Sequence, residues 1–220
     1  MDETRRFREA VIEWDTGGPG APAAAETARA LAGAPVRTAV LVEGVSDQAA
    51  VETLAARHGR DLAAEGTAVI PLGGVTNIGR FLTLLGPRGL GLGLAGLCDA
   101  PEEAHFARAL EREGLGDGLS RAGMEPLGFH VCVDDLEEEL IRALGPDRVR
   151  QVIETQGDLR AWRIFRGQPA QRDRPVERQL RRFMGTISGR KSQYARALVT
   201  ALDPTRTPRP LDGLLARLPR

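Results

Sequence analysis

The chain has 220 residues, of which 42% are hydrophobic and 27% charged, and its 30 basic residues balance its 30 acidic ones. A chain of this size buries a core of its own, and the balance lacks the basic excess of a free-standing nucleic-acid binder. No run has the apolar length of a membrane span, and the start Met1-Asp-Glu-Thr-Arg5 does not have the pattern of a signal peptide, so a cytoplasmic protein is expected.

Residues 1–14 hold Arg, Glu, Val, Ile and Trp14 at helical spacing and predict a short amphipathic helix. Residues 15–35 are rich in Gly, Pro and Ala and predict a linker, which would start the globular part near Val36. The apolar run 38–42 then predicts a buried parallel strand ending at the acid Glu43. A turn at Gly44 and a helix over 46–58 follow, with Ser46 as its cap, Asp47 in its first turn, and Ala50, Val51, Leu54 and Ala55 on one face.

A second strand over 68–72 runs into Gly73-Gly-Val-Thr-Asn77, an ordinary loop or a phosphate nest. A helix carrying Ile78, Phe81, Leu82 and Leu85 then stops at Gly86-Pro87. The third strand, 90–98, ends at Asp99, and glycines 89, 91 and 93 predict close approach of a helix or a neighbouring chain, which leaves a homo-oligomer open. A helix over 101–113 has Pro101 in its first turn with Glu102 and Glu103 just inside. The fourth strand, 128–133, leads into Asp134-Asp-Leu-Glu-Glu-Glu139 and a helix ending at Gly145.

This order predicts an α/β fold with a mostly parallel sheet of about four strands, flanked by helices joined through right-handed crossovers. From Pro146 the chain reads as a helical extension, with helices at 147–155, 159–166, 175–184 and 189–202, then a Pro-rich tail and 211–218. Three parts result: 1–35, 36–145 and 146–220. Cys98 and Cys132 lack companion ligands and read as reduced core residues. His58, His105 and His130 share no ligand spacing, and Trp14 and Trp162 read as packing residues.

Three strand ends deliver acids to one edge of the sheet, where ligands bind in such folds. They are Glu43 with Asp47, Asp99 with Glu102 and Glu103, and the run 134–139 that includes Glu137. Each cluster alone also complements a helix dipole. Together they repel unless a cation neutralises them, and hard oxygen donors suit Mg²⁺ or Mn²⁺, a pair of which serves phosphoryl transfer. The 30 basic residues include a single lysine, Lys191, at a helix start. A lysine kept where arginine is otherwise used points to a compact ammonium beside a phosphate.

A strand ending in Glu43-Gly44 with Asp47 four residues on, followed by a strand ending in Asp99, resembles the TOPRIM domain of topoisomerases, DnaG-type primases and nucleases. With Gly73-Gly-Val-Thr-Asn-Ile78, Asp135-Leu-Glu-Glu-Glu-Leu140 and Gly189-Arg-Lys-Ser-Gln-Tyr-Ala195 included, the sequence is similar to the TOPRIM half of the OLD (overcoming lysogenization defect) nucleases over about residues 36–203. The resemblance implies a TOPRIM/Rossmann-like sheet and two-metal, Mg²⁺- or Mn²⁺-dependent DNA cleavage. It implies that Glu43, Asp47 and Asp99 hold a first metal, that Glu102 or Glu103 with Glu137 hold a second, that Glu43 assists proton transfer, and that Lys191 stabilises the transition state. The second acid of the family's Asp-x-Asp motif falls at Pro101, which has no ligating side chain. OLD enzymes also carry an ABC-type ATPase ahead of this domain, and residues 1–35 hold no phosphate-binding Gly-x-x-x-x-Gly-Lys-Ser/Thr. A separate ATPase subunit is therefore an expected partner unless the module acts alone. The rival readings are a non-catalytic TOPRIM-like regulatory module and a nucleotidyl-transfer enzyme.

Overall fold

The computed structural model describes residues 2–186 and 189–219; Met1, at the front of the first expected helix, lies outside them. Helix α1 (Glu3–Thr16) is capped by Asp2, whose carboxylate accepts the Thr4 N–H at 3.0 Å. Helix α2 (Ala21–Leu31) follows and lays its small residues against α1. The stretch read as a linker thus contains a helix. Its Ala-rich centre is strongly helix-forming, and Pro22 sits in the first turn, where a missing N–H costs nothing. Packing also begins well before Val36, because Phe7, Val11 and Ala28 share a core with Ala39 and Leu41 of the sheet.

The sheet alternates with helices: β1 (Thr38–Val42), α3 (Val45–Arg57), β2 (Thr67–Pro71), α4 (Ile78–Leu85), β3 (Gly93–Asp99), α5 (Glu103–Arg112), the short α6 (Arg121–Met124) and β4 (Phe129–Cys132). All four strands are parallel in the order β2-β1-β3-β4, with Leu41 opposite Gly96 across the central pair. Both faces are covered, as the unbroken apolar runs require. Val40, Val42, Val69 and Leu97 point to one side, and Leu41, Ala68, Ile70 and Cys98 to the other.

Strand order fixes where a site can lie. The chain leaves β1 for β2 on one flank, then passes back beyond β1 to β3 on the other. Right-handed crossovers in opposite directions place α3 and α4 on opposite faces of the sheet. No connection then covers the carboxyl ends of β1 and β3, and a crevice opens there. Glu43 follows β1 directly, and Asp99 closes β3.

The remaining helices are α7 (Leu136–Leu144), α8 (Pro146–Thr155), α9 (Leu159–Gly167), α10 (Pro169–Arg172), α11 (Val176–Met184), α12 (Arg190–Ala201) and α13 (Arg209–Arg217). They build onto the α3 face and share its core. A ring cluster joins them: Trp162 and Phe165 of α9 meet Phe183 of α11 at centroid distances of 5.3 and 5.6 Å, and Phe183 meets Tyr194 of α12 at 6.2 Å. Helix α12 packs along α3, and the Arg57 guanidinium ties the two by donating to the Leu202 carbonyl at 2.8 Å. Cys98 and Cys132 are buried and unbonded, as expected. Among the described residues no helix is long and apolar enough to cross a membrane.

Of the glycines 89, 91 and 93, Gly89 makes the expected close approach to a helix: a Cβ there would stand 2.0 Å from the Leu84 carbonyl oxygen at the end of α4. Within β3 the tight contact is at Gly96, where a Cβ would stand 2.7 Å from a ring carbon of Phe129 and 2.9 Å from the Leu41 carbonyl oxygen. Neither neighbour can yield without moving a strand. Gly96→Ala should therefore destabilise the fold by about 1–3 kcal/mol, read as a lower urea midpoint at unchanged slope; an unchanged midpoint would refute the packing account.

Candidate metal centre

The crevice at the ends of β1 and β3 is a cleft of about 410 Å³ lined by Glu43, Asp47, Asp99 and Glu137, with Lys191 and Ser192 on its far wall. Each acid arrives by a different route. The apolar strand β1 holds Val42 fully buried and expels the chain at Glu43, leaving that side chain half-buried at the rim. Asp47 enters from the first turn of α3. The helix starts two residues earlier than a cap at Ser46 would have it, with Gly44 extended at the cap and the Asp47 carboxylate accepting its N–H at 2.8 Å. The cap expected of Ser46 is therefore supplied from Asp47, in the reverse direction.

Asp99 closes β3, and a single 3₁₀ turn over Ala100–Glu102 follows. That turn brings Glu102 back toward the sheet. Carboxylate oxygens of Glu43, Asp99 and Glu102 all lie within 4.8 Å of one another. Glu103, the other candidate on this helix, is not brought in: it pairs with Arg121 at 2.7 Å. Pro101 is exposed, so no second acid stands at its position. Asp47 and Glu137 line the cleft without joining the tight group of three.

Across the cleft stands Lys191, in the first turn of α12, 3.3 Å from Glu137 Oε1 and half-exposed. A cation at a helix N-terminus opposes the helix dipole, so its placement serves the cleft rather than the helix. Burial alone would lower its pKa, but the facing carboxylates of Glu137, Asp135 and Asp47 raise it, and the ammonium stays charged. Asp135 caps α7 by accepting the Glu138 N–H at 2.8 Å and also pairs with Arg181 of α11. This second ion pair links α7 to α11 at the mouth of the cleft. Its partners are 46 positions apart, and no local signal in the sequence could have matched them. Ser192 and Gly185, both lining the cleft, were also not singled out; only the adjacency of Ser192 to Lys191 offered a hint.

The crowded acids titrate unusually. Burial, then the Glu102 charge, pushes the Glu43 carboxyl up. Burial and the neighbouring Glu137 raise Asp47 to about 7, and burial with the Glu43 charge raises Asp99 to about 8. Among the described residues, Glu43 Oε1 is buried without a hydrogen-bond partner, and the buried Glu137 Oε1 faces only the Lys191 ammonium, 3.3 Å away. Carboxylate oxygens gathered in one cleft, one of them buried and unpartnered, are the donor set that a hard divalent cation takes, and these residues fit Mg²⁺ or Mn²⁺.

The linkage has a definite sign. Unfolded aspartates titrate near 3.9, whereas Asp47 and Asp99 hold their protons to about 7 and 8 when folded. Through these groups the metal-free protein therefore loses stability progressively as pH rises from about 4 to their folded values of about 7 and 8, and no further above them. Asp99→Asn should flatten this slope and raise the metal-free Tm at pH 8 by about 2–4 °C, while abolishing most of the stabilisation that Mn²⁺ gives the wild type. A lower Tm at pH 8 would contradict the charge crowding.

With the geometry in hand, comparison with known proteins is direct. Residues 36–100 match the family model described as overcoming lysogenization defect protein-like, TOPRIM domain. Comparison with curated proteins finds no match. Among solved structures, the C-terminal region of the Xanthomonas campestris pv. campestris OLD protein is 25% identical with a TM-score of 0.64, covering 83% of this chain and 92% of that one. The C-terminal region of the Burkholderia pseudomallei OLD protein shares the fold at 23% identity and a TM-score of 0.62, covering 83% of this chain and 96% of that one. The four parallel strands with flanking helices share the fold of these OLD C-terminal regions, and within it residues 36–100 are similar to the OLD-like TOPRIM domain.

Proposed function

We propose that the chain is a metal-dependent DNA nuclease that nicks phosphodiesters. The observation that carries this reading is the convergence of Glu43, Asp99 and Glu102 within 4.8 Å, opposite Lys191. Three like charges at that range are unfavourable without a cation. Glu102 stands in for the acid that Pro101 cannot supply. Asp47 and Glu137, on the same cleft wall, extend the donor set toward a second Mg²⁺ or Mn²⁺. Held by these carboxylates, divalent ions would activate a water for attack and offset charge on the leaving oxygen. The chain's own residues do the rest. Glu43, its pKa raised, accepts and returns a proton at the rim of the cleft. The Lys191 ammonium, drawn away from Glu137 toward a phosphate, offsets the charge that builds on the phosphoryl oxygens.

DNA as the substrate agrees with the nuclease association of the OLD TOPRIM domain. A separate ABC-type ATPase subunit is the partner this reading admits. The decisive experiment is nicking of supercoiled plasmid with Mg²⁺, Mn²⁺ or EDTA. Nicking should require metal, vanish in Glu43→Ala, and fall by about 10²–10³-fold in Lys191→Ala, with both variants folded by circular dichroism.

One observation favours a second reading. The exposed Pro101 leaves one fewer acid at the β3 end than the family pattern provides, as a non-catalytic TOPRIM-like module that regulates a partner would. No nicking in either metal, with and without an ATPase present, would favour that alternative.

A further inference from the structure

The neutral net charge conceals a segregation. Residues 160–196 contain eleven basic residues against two acids, so the rest of the chain is correspondingly acidic. Outside that segment half of the described arginines pair with an acid, as Arg60 does with Glu65 at 2.6 Å and Arg88 with Glu113 at 2.7 Å. On α9 and α11 only Arg181 does. Arg160 and Arg163 of α9, and Arg178 and Arg182 of α11, are exposed and make no ion pair with any described residue. Arg166 only stacks on Trp162, at 5.6 Å.

Local geometry forces them outward. Trp162 and Phe165 turn α9 inward onto Phe183 of α11, so positions 160 and 163 occupy the opposite face of α9. On α11 the buried Leu180, Phe183 and Met184 leave 178 and 182 exposed, one turn apart. Nothing in stability explains this. Uncompensated like charges on neighbouring helices repel, and arginine gives no advantage in solubility that a mixed-sign surface lacks.

The α11 part of this basic surface reaches the cleft. Helix α11 runs into Gly185, which lines the cleft, and Arg181 on its last turn pairs with Asp135 at the start of α7. We infer that the α9–α11 arginine face is the surface on which the duplex DNA backbone lies, leading a phosphodiester to the carboxylates beside Lys191. This rests on the nuclease reading and adds to it the place where substrate is held. The partner is identified by its charge. The cleft itself is acidic and repels a polyanion, so attraction must come from outside it, and unpaired guanidiniums match phosphates in both charge and fork geometry. Ile164 is the only large exposed hydrophobic on these two helices among the described residues, too little apolar surface for insertion into a lipid bilayer.

The test compares the wild type, the double variant Arg163→Glu/Arg178→Glu, and Arg6→Glu, by fluorescence anisotropy of a labelled DNA duplex in Mg²⁺ across a salt series. Arg6 is exposed on α1, which packs on the other face of the sheet, and serves as the charge control. The double variant should bind about tenfold more weakly, with a salt slope shallower by about 2, while Arg6→Glu matches the wild type. Equal binding by the double variant, or equal loss in Arg6→Glu, overturns the inference and leaves the nuclease reading standing if metal-dependent nicking is seen. Wild-type protein that binds anionic vesicles or an acidic peptide through these arginines but not DNA overturns it as well. Arginine-dependent DNA binding without nicking upholds the surface and removes the catalysis.

Discussion

Carboxylates held close together at the end of a parallel sheet repel one another, and this constraint organises the rest of the molecule. Glu43, Asp99 and Glu102 converge because strand order leaves the β1–β3 crevice open and because a 3₁₀ turn carries Glu102 back over it. The protein answers the repulsion in part by protonation, with Asp47 and Asp99 raised to about 7 and 8. It answers in part with a facing cation, Lys191, paired to Glu137. The buried Glu43 Oε1 is left without a hydrogen-bond partner. A structure selected for stability alone would replace such a cluster with apolar or paired groups, and its retention is what links the fold to the proposed chemistry.

The helical extension gives that cluster its counterpart. Residues beyond 146 share the α3-side core and close it with an aromatic cluster. Through α12 packed on α3 they fix Lys191 opposite acids as far back in the chain as Glu43. The same packing turns arginines of α9 and α11 outward, those of α11 on the helix that runs into the cleft-lining Gly185. Attraction and reaction are thereby divided between two surfaces of opposite sign: an acidic crevice suited to cations and a basic flank suited to a polyanion.

Much of this was legible in the sequence, for identifiable reasons. The run Thr38–Val42 followed by Glu43 and Gly44 is apolar on both faces of the strand, a signal that belongs to buried parallel strands. Lys191 stood out because no other lysine competes with it. Helix α2 was obscured because Gly17 to Pro22 suggested a linker more strongly than the following alanines suggested a helix. Glu102 and Glu103 could not be told apart, since adjacent helical residues point about 100° from each other and only the 3₁₀ turn decides which one faces the cleft. Pairings such as Arg181 with Asp135, and the strand order itself, depend on contacts between distant segments.

The central claim is that the crowded acids exist to take up divalent cations. Calorimetric titration of the purified protein with Mn²⁺ at pH 8, repeated in buffers of different ionisation enthalpy, tests it most directly. The account predicts saturable binding accompanied by proton release, because the raised carboxyls must give up their protons to ligate, and loss of that binding in Glu43→Gln. A silent titration, or binding that Glu43→Gln leaves intact, would contradict it.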